Sequence, residues 1–322
     1  MSNALVLVIA DPAASFLTNL SRAPKEVRVV VTDNLEELKA RAPEAEAILY
    51  AHGKSDLLSS VLPLAGRVRW IHSLWTGVEG ILSPELLAHP APLTNGRGVF
   101  RWPLADWMVG VMLFFAFDLR RVLQQQEQGV WQPFTSTMLK GRTLGIVGYG
   151  AIGSAVAERA RPFGMKIVAF RRRAELFHAD SLVDHSYGPG ELNALMAVSD
   201  YVLVVTPLTA ETRGLIGEAE IAAMKPDAVL MNIGRGPVVD EAALIRALQA
   251  GAIRGAALDV FDIEPLPAGH PFWGMRNVLL SPHTADRVEG FLIPAFDCFL
   301  ENLDRFLKGS PLLNVVDKHA GY

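Results

Sequence analysis

The sequence predicts an α/β protein built from two doubly wound, parallel-sheet domains. Three observations carry that prediction. The chain has 322 residues, too many for one ordinary core and suited to two domains of roughly 150 residues each. Short apolar runs alternate with helical patterns along its length, the rhythm of βαβ units feeding a parallel sheet. A glycine-rich turn, Gly148-Tyr149-Gly150-Ala151-Ile152-Gly153, joins one such run to the helical stretch after it.

In order along the chain, buried strands are expected at 5–9, 27–31, 47–50 and 68–71, with helical stretches at 35–42 and 85–88. The most apolar stretch, 104–117, opens a helix expected to continue to 128. Asp106 interrupts its apolar part and Asp118 ends it, so it is too short for a membrane span of about 20 residues. A helix buried between domains is the better reading. A second strand series follows at 143–147, 166–170, 201–205, 228–233, 256–260 and 278–281, with helices at 152–163, 191–198, 218–224 and 241–249 between its members. An amphipathic pattern at 291–307 closes the chain and must pack on a domain, the N-terminal one being the natural candidate.

Composition limits the function. Half the residues are apolar and a fifth are charged, and the mean hydropathy is +0.25, so a large core can form and wholesale disorder is excluded. Thirty basic residues against 34 acidic ones leave a formal charge of -4. That balance gives no general attraction for nucleic acid or an anionic membrane. The one cysteine, Cys298, allows neither an intrachain disulfide nor a Cys-rich metal site. A reducing, cytoplasmic setting fits it, and no metal is expected. Residues 1–10 lack a basic stretch and read directly into a strand, so no targeting signal is expected.

The glycines mark a dinucleotide site. In this spacing the first glycine permits a tight turn, the second lets backbone approach a pyrophosphate, and the third lets helix pack on strand. Gly148, Gly150 and Gly153 fill those places, and the amides of Ala151 and Ile152 open the helix whose dipole favours the anion. Strand, turn, helix and second strand occur in the confirming order. An NAD site then carries an acid that accepts the ribose 2′-OH, about 20 residues on. This chain reads Phe170-Arg171-Arg172-Arg173 instead. Three guanidiniums there suit a 2′-phosphate, so NADP(H) is expected to be preferred, with NAD(H) possible. The alternative is a solvated basic loop.

Three more segments end strands of this second series, on the side where doubly wound sheets bind ligands. Arg235 stands between Gly234 and Gly236, Asp259 lies at a strand end with Glu264 just beyond, and His283 follows the last strand. Here the chain resembles the D-2-hydroxyacid dehydrogenase family over essentially its whole length. The resemblance rests on the glycine fingerprint, the Thr-Pro-Leu-Thr segment at 206–209, Asn-Ile-Gly-Arg-Gly, Asp-Val-Phe-x-x-Glu-Pro and Ser-Pro-His, in that order. Within the family it is most similar to the short NADPH-dependent glyoxylate/hydroxypyruvate reductases. The resemblance implies a Rossmann cofactor domain, 99–286, inserted in a flavodoxin-like substrate domain formed by 1–98 and 287–322. It implies a homodimer, and a small 2-oxo or 2-hydroxy acid as substrate.

Roles follow residue by residue. Reducing a 2-oxo acid requires a clamp on the carboxylate, for which the guanidinium fork of Arg235 is suited. It requires a proton donor, for which His283 is suited, and a partner for the ring, for which Glu264 is suited. Taken singly, each has a structural reading: surface cation, turn carboxylate, satisfied histidine. The resemblance gives Asp259 the nicotinamide carboxamide and adds Thr206, Pro207 and Ile233 to the cofactor site. It makes Trp75-Thr76-Gly77 the loop whose amides meet the substrate carboxylate, with a plain strand-to-helix turn as the alternative. Trp131 lies where relatives exchange contacts across a two-fold axis, or else is a buried intrachain tryptophan. Asp286 and Arg287 depart from the commoner pattern after the histidine. A dinucleotide-sensing regulatory protein of the same fold, or a family dehydrogenase for another 2-hydroxy acid, is the alternative to the reductase.

Overall fold

Leu5–Ile9 (β1), Arg28–Thr32 (β2), Ala47–Tyr50 (β3), Trp70–Ser73 (β4) and Leu93–Asn95 (β5) form one parallel sheet in the order β2-β1-β3-β4-β5. Every residue of β1, β3 and β4 is buried, because helices cover both faces of a parallel sheet and leave no polar side. This is the flavodoxin-like strand order. The computed structural model describes residues 4–53, 55–172 and 181–322, and the chain divides into two compact units, Met1–Phe100 with Glu289–Tyr322, and Arg101–Val288. The expected insertion, 99–286, starts and ends two residues early. Phe100 belongs to the first unit, where its ring lies 6.4 Å from that of Phe291.

In the first unit α1 (Leu35–Arg41), α2 (Ser55–Val61) and α3 (Pro84–Ala88) connect the strands. Asn34 caps α1 by accepting from the Glu37 amide at 3.1 Å, and Ser83 accepts from Leu86 at 3.3 Å at the start of α3, each taking up an amide the first turn leaves unpaired. The C-terminal helix Ile293–Leu307 packs in this unit, stacking Phe299 on Trp70 at 5.5 Å. Two expectations need correction. The strand read at 68–71 lies at Trp70–Ser73, since polar His72 and Ser73 find partners inside the sheet. Strand β5 was missed because Thr94 and Asn95 look like loop residues; both are buried, and Thr94 Oγ1 accepts from Trp70 Nε1 at 2.8 Å and sits 2.7 Å from His72 Nδ1.

The second unit opens with α4 (Arg101–Ala116) and α5 (Leu119–Gln128). The single helix expected over 104–128 is two, bent by 62°, because Asp118 turns left-handed at φ 48, a conformation short polar residues tolerate best. Among the described residues no single helix is long and apolar enough to cross a membrane. Helix α4 buries Leu104, Met108, Val111, Met112 and Phe115 and packs on α6 (Ala151–Ala160). Strands β6 (Thr143–Val147), β7 (Lys166–Phe170), β8 (His185–Tyr187), β9 (Tyr201–Val204), β10 (Val229–Asn232), β11 (Gly255–Leu258) and β12 (Val278–Leu280) are parallel, in the order β12-β11-β10-β9-β6-β7-β8. Successive strands step one way from β6 to β8 and the other way from β9 to β12. The reversal between β6 and β9 is the switch point outside which a doubly wound sheet binds its ligand. Trp131 is 96% exposed, which removes the buried-tryptophan alternative.

His72 supplies a test of the first core. Burial pushes its imidazole down to about 3, so the folded protein holds it neutral while the unfolded chain takes up a proton near 6.5. That contribution to stability is present above pH 6.5 and is lost as pH falls toward 3. Chemical denaturation at pH 6 and pH 4 should show His72→Leu losing less stability than the wild type, by up to about 1.4 kcal/mol per pH unit. Equal slopes would show that protonated His72 is accommodated.

Candidate active site

Beyond β6 the chain enters the glycine turn. Gly148 has φ +102, and a Cβ there would lie 2.8 Å from the Thr206 nitrogen and the Val205 carbonyl carbon. A Cβ on Gly153 would lie 2.8 Å from the Gly148 oxygen, so α6 closes on β6 only without one. Gly150 differs, because a Cβ there would meet nothing within 4 Å. The protein leaves open space over this residue. Gly150 also begins α6 without a side-chain cap, and the amides of a helix's first turn have no intrahelical acceptor. Beside the turn, the buried Thr206 hydroxyl oxygen has no hydrogen-bond partner. Open space, first-turn amides and an orphaned hydroxyl fit a dinucleotide pyrophosphate.

At the end of β7 the Arg171 amide donates to the Tyr187 carbonyl at 3.2 Å. Arg172 is exposed and ion-paired with Glu211. Arg173 lies outside the described residues. Glu211, on the loop after β9, went unnoticed in the sequence because 39 residues separate it from Arg172.

Arg235 follows β10 in an extended conformation. A Cβ on Gly234 would lie 2.8 Å from the Thr206 oxygen, and one on Gly236 only 2.0 Å from the Phe261 carbonyl carbon. Two glycines therefore let backbone press against backbone on either side of the arginine. Asn232, buried at the end of β10, fixes the turn. Its side chain accepts from the Gly234 amide at 3.0 Å and donates to the Arg235 carbonyl at 3.1 Å.

His283 Nδ1 stands 2.7 Å from Glu264 Oε2. The other carboxylate oxygen accepts from the Phe261 amide at 3.0 Å, so Glu264 is held from both ends. The hydrogen bond to Glu264 raises the proton affinity of His283 above its ordinary value, against burial and the charge of Arg235. Burial pushes the Glu264 carboxyl up, but bonds from His283 and Phe261, with the charges of His283 and Arg235, hold it below its ordinary value. Both partners thus favour the ion pair, with Arg235 close enough to act on each.

Asp259 proves to have a task the sequence did not reveal. It is 4% exposed, and its Oδ1 accepts from Ser281 Oγ at 2.6 Å, Thr284 N at 2.9 Å and Ala285 N at 3.2 Å. Its backbone oxygen accepts from the His283 amide at 2.9 Å. The loop presenting His283 is wound around this one residue. Asp259 also lies beside Trp107, Met108, Val111, Ile233 and Ser281. Trp107 and Met108 were read only as parts of an apolar helix.

In the first unit, Trp75-Thr76-Gly77 follows β4. Thr76 Oγ1 donates to Gly96 O at 2.9 Å, Asn95 Nδ2 donates to Thr76 O at 2.6 Å, and Gly96 N donates to Trp75 O at 3.2 Å. The loop's hydroxyl and carbonyls are thus engaged by 95–96, and Trp75 packs on the unit's core.

The profile described as "D-isomer specific 2-hydroxyacid dehydrogenase, NAD binding domain" matches residues 109–285. Among curated proteins, a glyoxylate/hydroxypyruvate reductase B of Serratia proteamaculans is 34% identical over 291 residues, 88% of each chain. Among solved structures, a D-isomer specific 2-hydroxyacid dehydrogenase of Xanthobacter autotrophicus, in complex with NADPH and MES, is 29% identical with a TM-score of 0.87 over 100% of both chains. An NADPH-dependent glyoxylate/hydroxypyruvate reductase of Sinorhizobium meliloti, in complex with NADP and sulfate, is 25% identical with a TM-score of 0.86 over 99% of this chain and 100% of that one. The chain belongs to the D-isomer specific 2-hydroxyacid dehydrogenase family.

The His283–Glu264 bond predicts a pH signature. Glu264 raises the proton affinity of His283, so a Glu264→Gln enzyme should lose its protonated imidazole at lower pH. The alkaline limb of kcat/KM for 2-oxo acid reduction should move acidward, with a rate loss of about 10²-fold if the ring also loses its orientation. An unmoved limb would separate Glu264 from the titration of His283.

Proposed function

We propose that this protein is an NADP(H)-preferring reductase of small 2-oxo acids, forming D-2-hydroxy acids from glyoxylate- or hydroxypyruvate-like substrates. The observation that carries this reading is the His283–Glu264 pair at 2.7 Å with the charge of Arg235 acting on both. The names of the relatives support the substrate class, and NADPH or NADP in the solved neighbours supports the cofactor.

The nicotinamide, when bound, supplies the hydride. The protein does the rest. Gly148, Gly150 and Gly153, with the amides of Ala151 and Ile152, hold the pyrophosphate, and Thr206 and Pro207 border it. Arg171 and Arg172 are assigned to the 2′-phosphate, and the sequence adds Arg173 to them. Ile233 and Asp259 are assigned to the nicotinamide end. Arg235 clamps the substrate carboxylate bidentately and draws charge from the ketone oxygen. His283, kept protonated by Glu264, donates from Nε2 to that oxygen as negative charge develops on it, and takes the proton back in the reverse reaction. The loop Trp75-Thr76-Gly77 is assigned to the substrate carboxylate through the Thr76 and Gly77 amides, since the Thr76 hydroxyl and carbonyl are engaged by Gly96 and Asn95.

We further propose a cytoplasmic homodimer. Trp131 at 96% exposure and Met138 at 66% stand on the arm after α5, whose Leu123 is 54% exposed, an apolar surface of the kind partners cover. Sedimentation should find a dimer, and Trp131→Glu should shift it toward monomer; an unchanged mass would place the dimer contact elsewhere.

Stopped NADPH and NADH oxidation against a panel of 2-oxo acids tests the main reading. NADPH should give the higher kcat/KM with glyoxylate or hydroxypyruvate, and Arg235→Ala should raise KM and lower kcat together. A clear NADH preference overturns the cofactor assignment; an Arg235→Ala enzyme changed only in stability overturns the clamp.

A further inference from the structure

The arginines after β7 are assigned to a 2′-phosphate, and one of them, Arg172, is paired with an acid. Arg172 lies two residues past the end of β7 and is ion-paired with Glu211. Glu211 belongs to the loop after β9. In the sheet these two strands flank β6, in the order β9-β6-β7. Neighbouring strands are about 4.8 Å apart, so the two loops leave the sheet roughly 10 Å from one another, on either side of the strand that ends in the glycine turn. The ion pair therefore spans the carboxyl end of β6.

Glu211 reaches across on a pinned turn. Thr212 Oγ1 donates to the Pro207 carbonyl at 2.6 Å and accepts from the Thr209 amide at 2.8 Å. The amides of Thr212 and Arg213 bond the Thr209 carbonyl at 3.2 and 3.1 Å. The carboxylate is thus carried by a hydrogen-bonded turn anchored to the residue next to Thr206. Among the described residues that end β7, Phe170-Arg171-Arg172, none is acidic, and folding delivers a carboxylate there from a neighbouring loop.

We propose that Glu211 is a specificity-determining residue that competes with the 2′-phosphate for Arg172, and so moderates the chain's preference for NADP(H) over NAD(H). The proposal rests on the cofactor reading above. The carboxylate holds the guanidinium, and a phosphate bound to Arg172 feels that carboxylate's negative charge. Side-chain exposures of 54% and 67% for the pair leave it in high dielectric, where an ion pair contributes about 1 kcal/mol at most. The dianion of a 2′-phosphate can therefore displace it, but at reduced affinity. A nucleotide with a free 2′-OH presents no such charge and does not gain from removing Glu211.

Equilibrium titration of the full-length protein with 2′,5′-ADP, ADP-ribose and NADPH tests this without catalysis. In Glu211→Gln, 2′,5′-ADP and NADPH should bind about three- to fivefold more tightly, the size of an exposed ion pair, while ADP-ribose does not tighten. In an Arg172→Ala background the same substitution should have no effect on 2′,5′-ADP, because its target is gone. Weaker or unchanged binding of 2′,5′-ADP in Glu211→Gln, with Arg172→Ala weakening it as expected, overturns the competition and leaves the cofactor reading intact. If Arg172→Ala leaves 2′,5′-ADP binding unchanged, the cofactor reading of Arg172 fails and the competition fails with it.

Discussion

The second unit's chemistry depends on one buried carboxylate. Asp259 sits at the end of β11 and gathers Ser281 Oγ, Thr284 N and Ala285 N onto a single oxygen. A buried acid without donors is expensive, and three donors left without it would each be unpaired at about 1–3 kcal/mol. Carboxylate and loop therefore need each other, and the chain between Ser281 and Ala285 has little freedom. His283 occupies the middle of that loop at φ +53, a backbone conformation uncommon for a side chain of its size. The strain is held by the bonds on either side, and its product is direction: the ring meets Glu264 at 2.7 Å.

The same logic of forced proximity places Arg235. Its flanking glycines have no conformational eccentricity to explain them; they are absent side chains where backbones touch. Gly236 leaves room for Phe261, whose amide also holds Glu264. Gly234 leaves room for Thr206, whose backbone also closes on Gly148. Arg235, Glu264 and the glycine turn are thus packed through shared contacts at the ends of β6, β9, β10 and β11.

Much of this was legible in the sequence, and the limits have physical reasons. Buried parallel strands announce themselves as unbroken apolar runs, which is why β1, β3, β6 and β7 lie at their expected bounds. Strand β5 did not, because Thr94 earns its burial from Trp70 and His72, contacts that no local pattern contains. The glycine turn could be read because glycine type and spacing carry it, and so could the residues that the structure gathers as His283, Glu264 and Arg235. Asn232, Trp107 and Glu211 could not. Asn232 acts through the shape of a local turn, Trp107 lies beside Asp259 by packing, and Glu211 meets Arg172 because strand order reverses at β6.

Charge shows the difference most clearly. A chain of formal charge -4 offers anions nothing on average, and its anion sites work by arrangement. Near His283 the positive charge of Arg235 opposes protonation, while Glu264 favours it by hydrogen bond and by charge. Arg235 by itself lowers the proton affinity of His283, in the same direction as burial. Glutamine in place of Glu264 could hold the ring but could not offset that field. The carboxylate therefore answers the arginine as much as the histidine, and Arg235, Glu264 and His283 form one electrostatic unit.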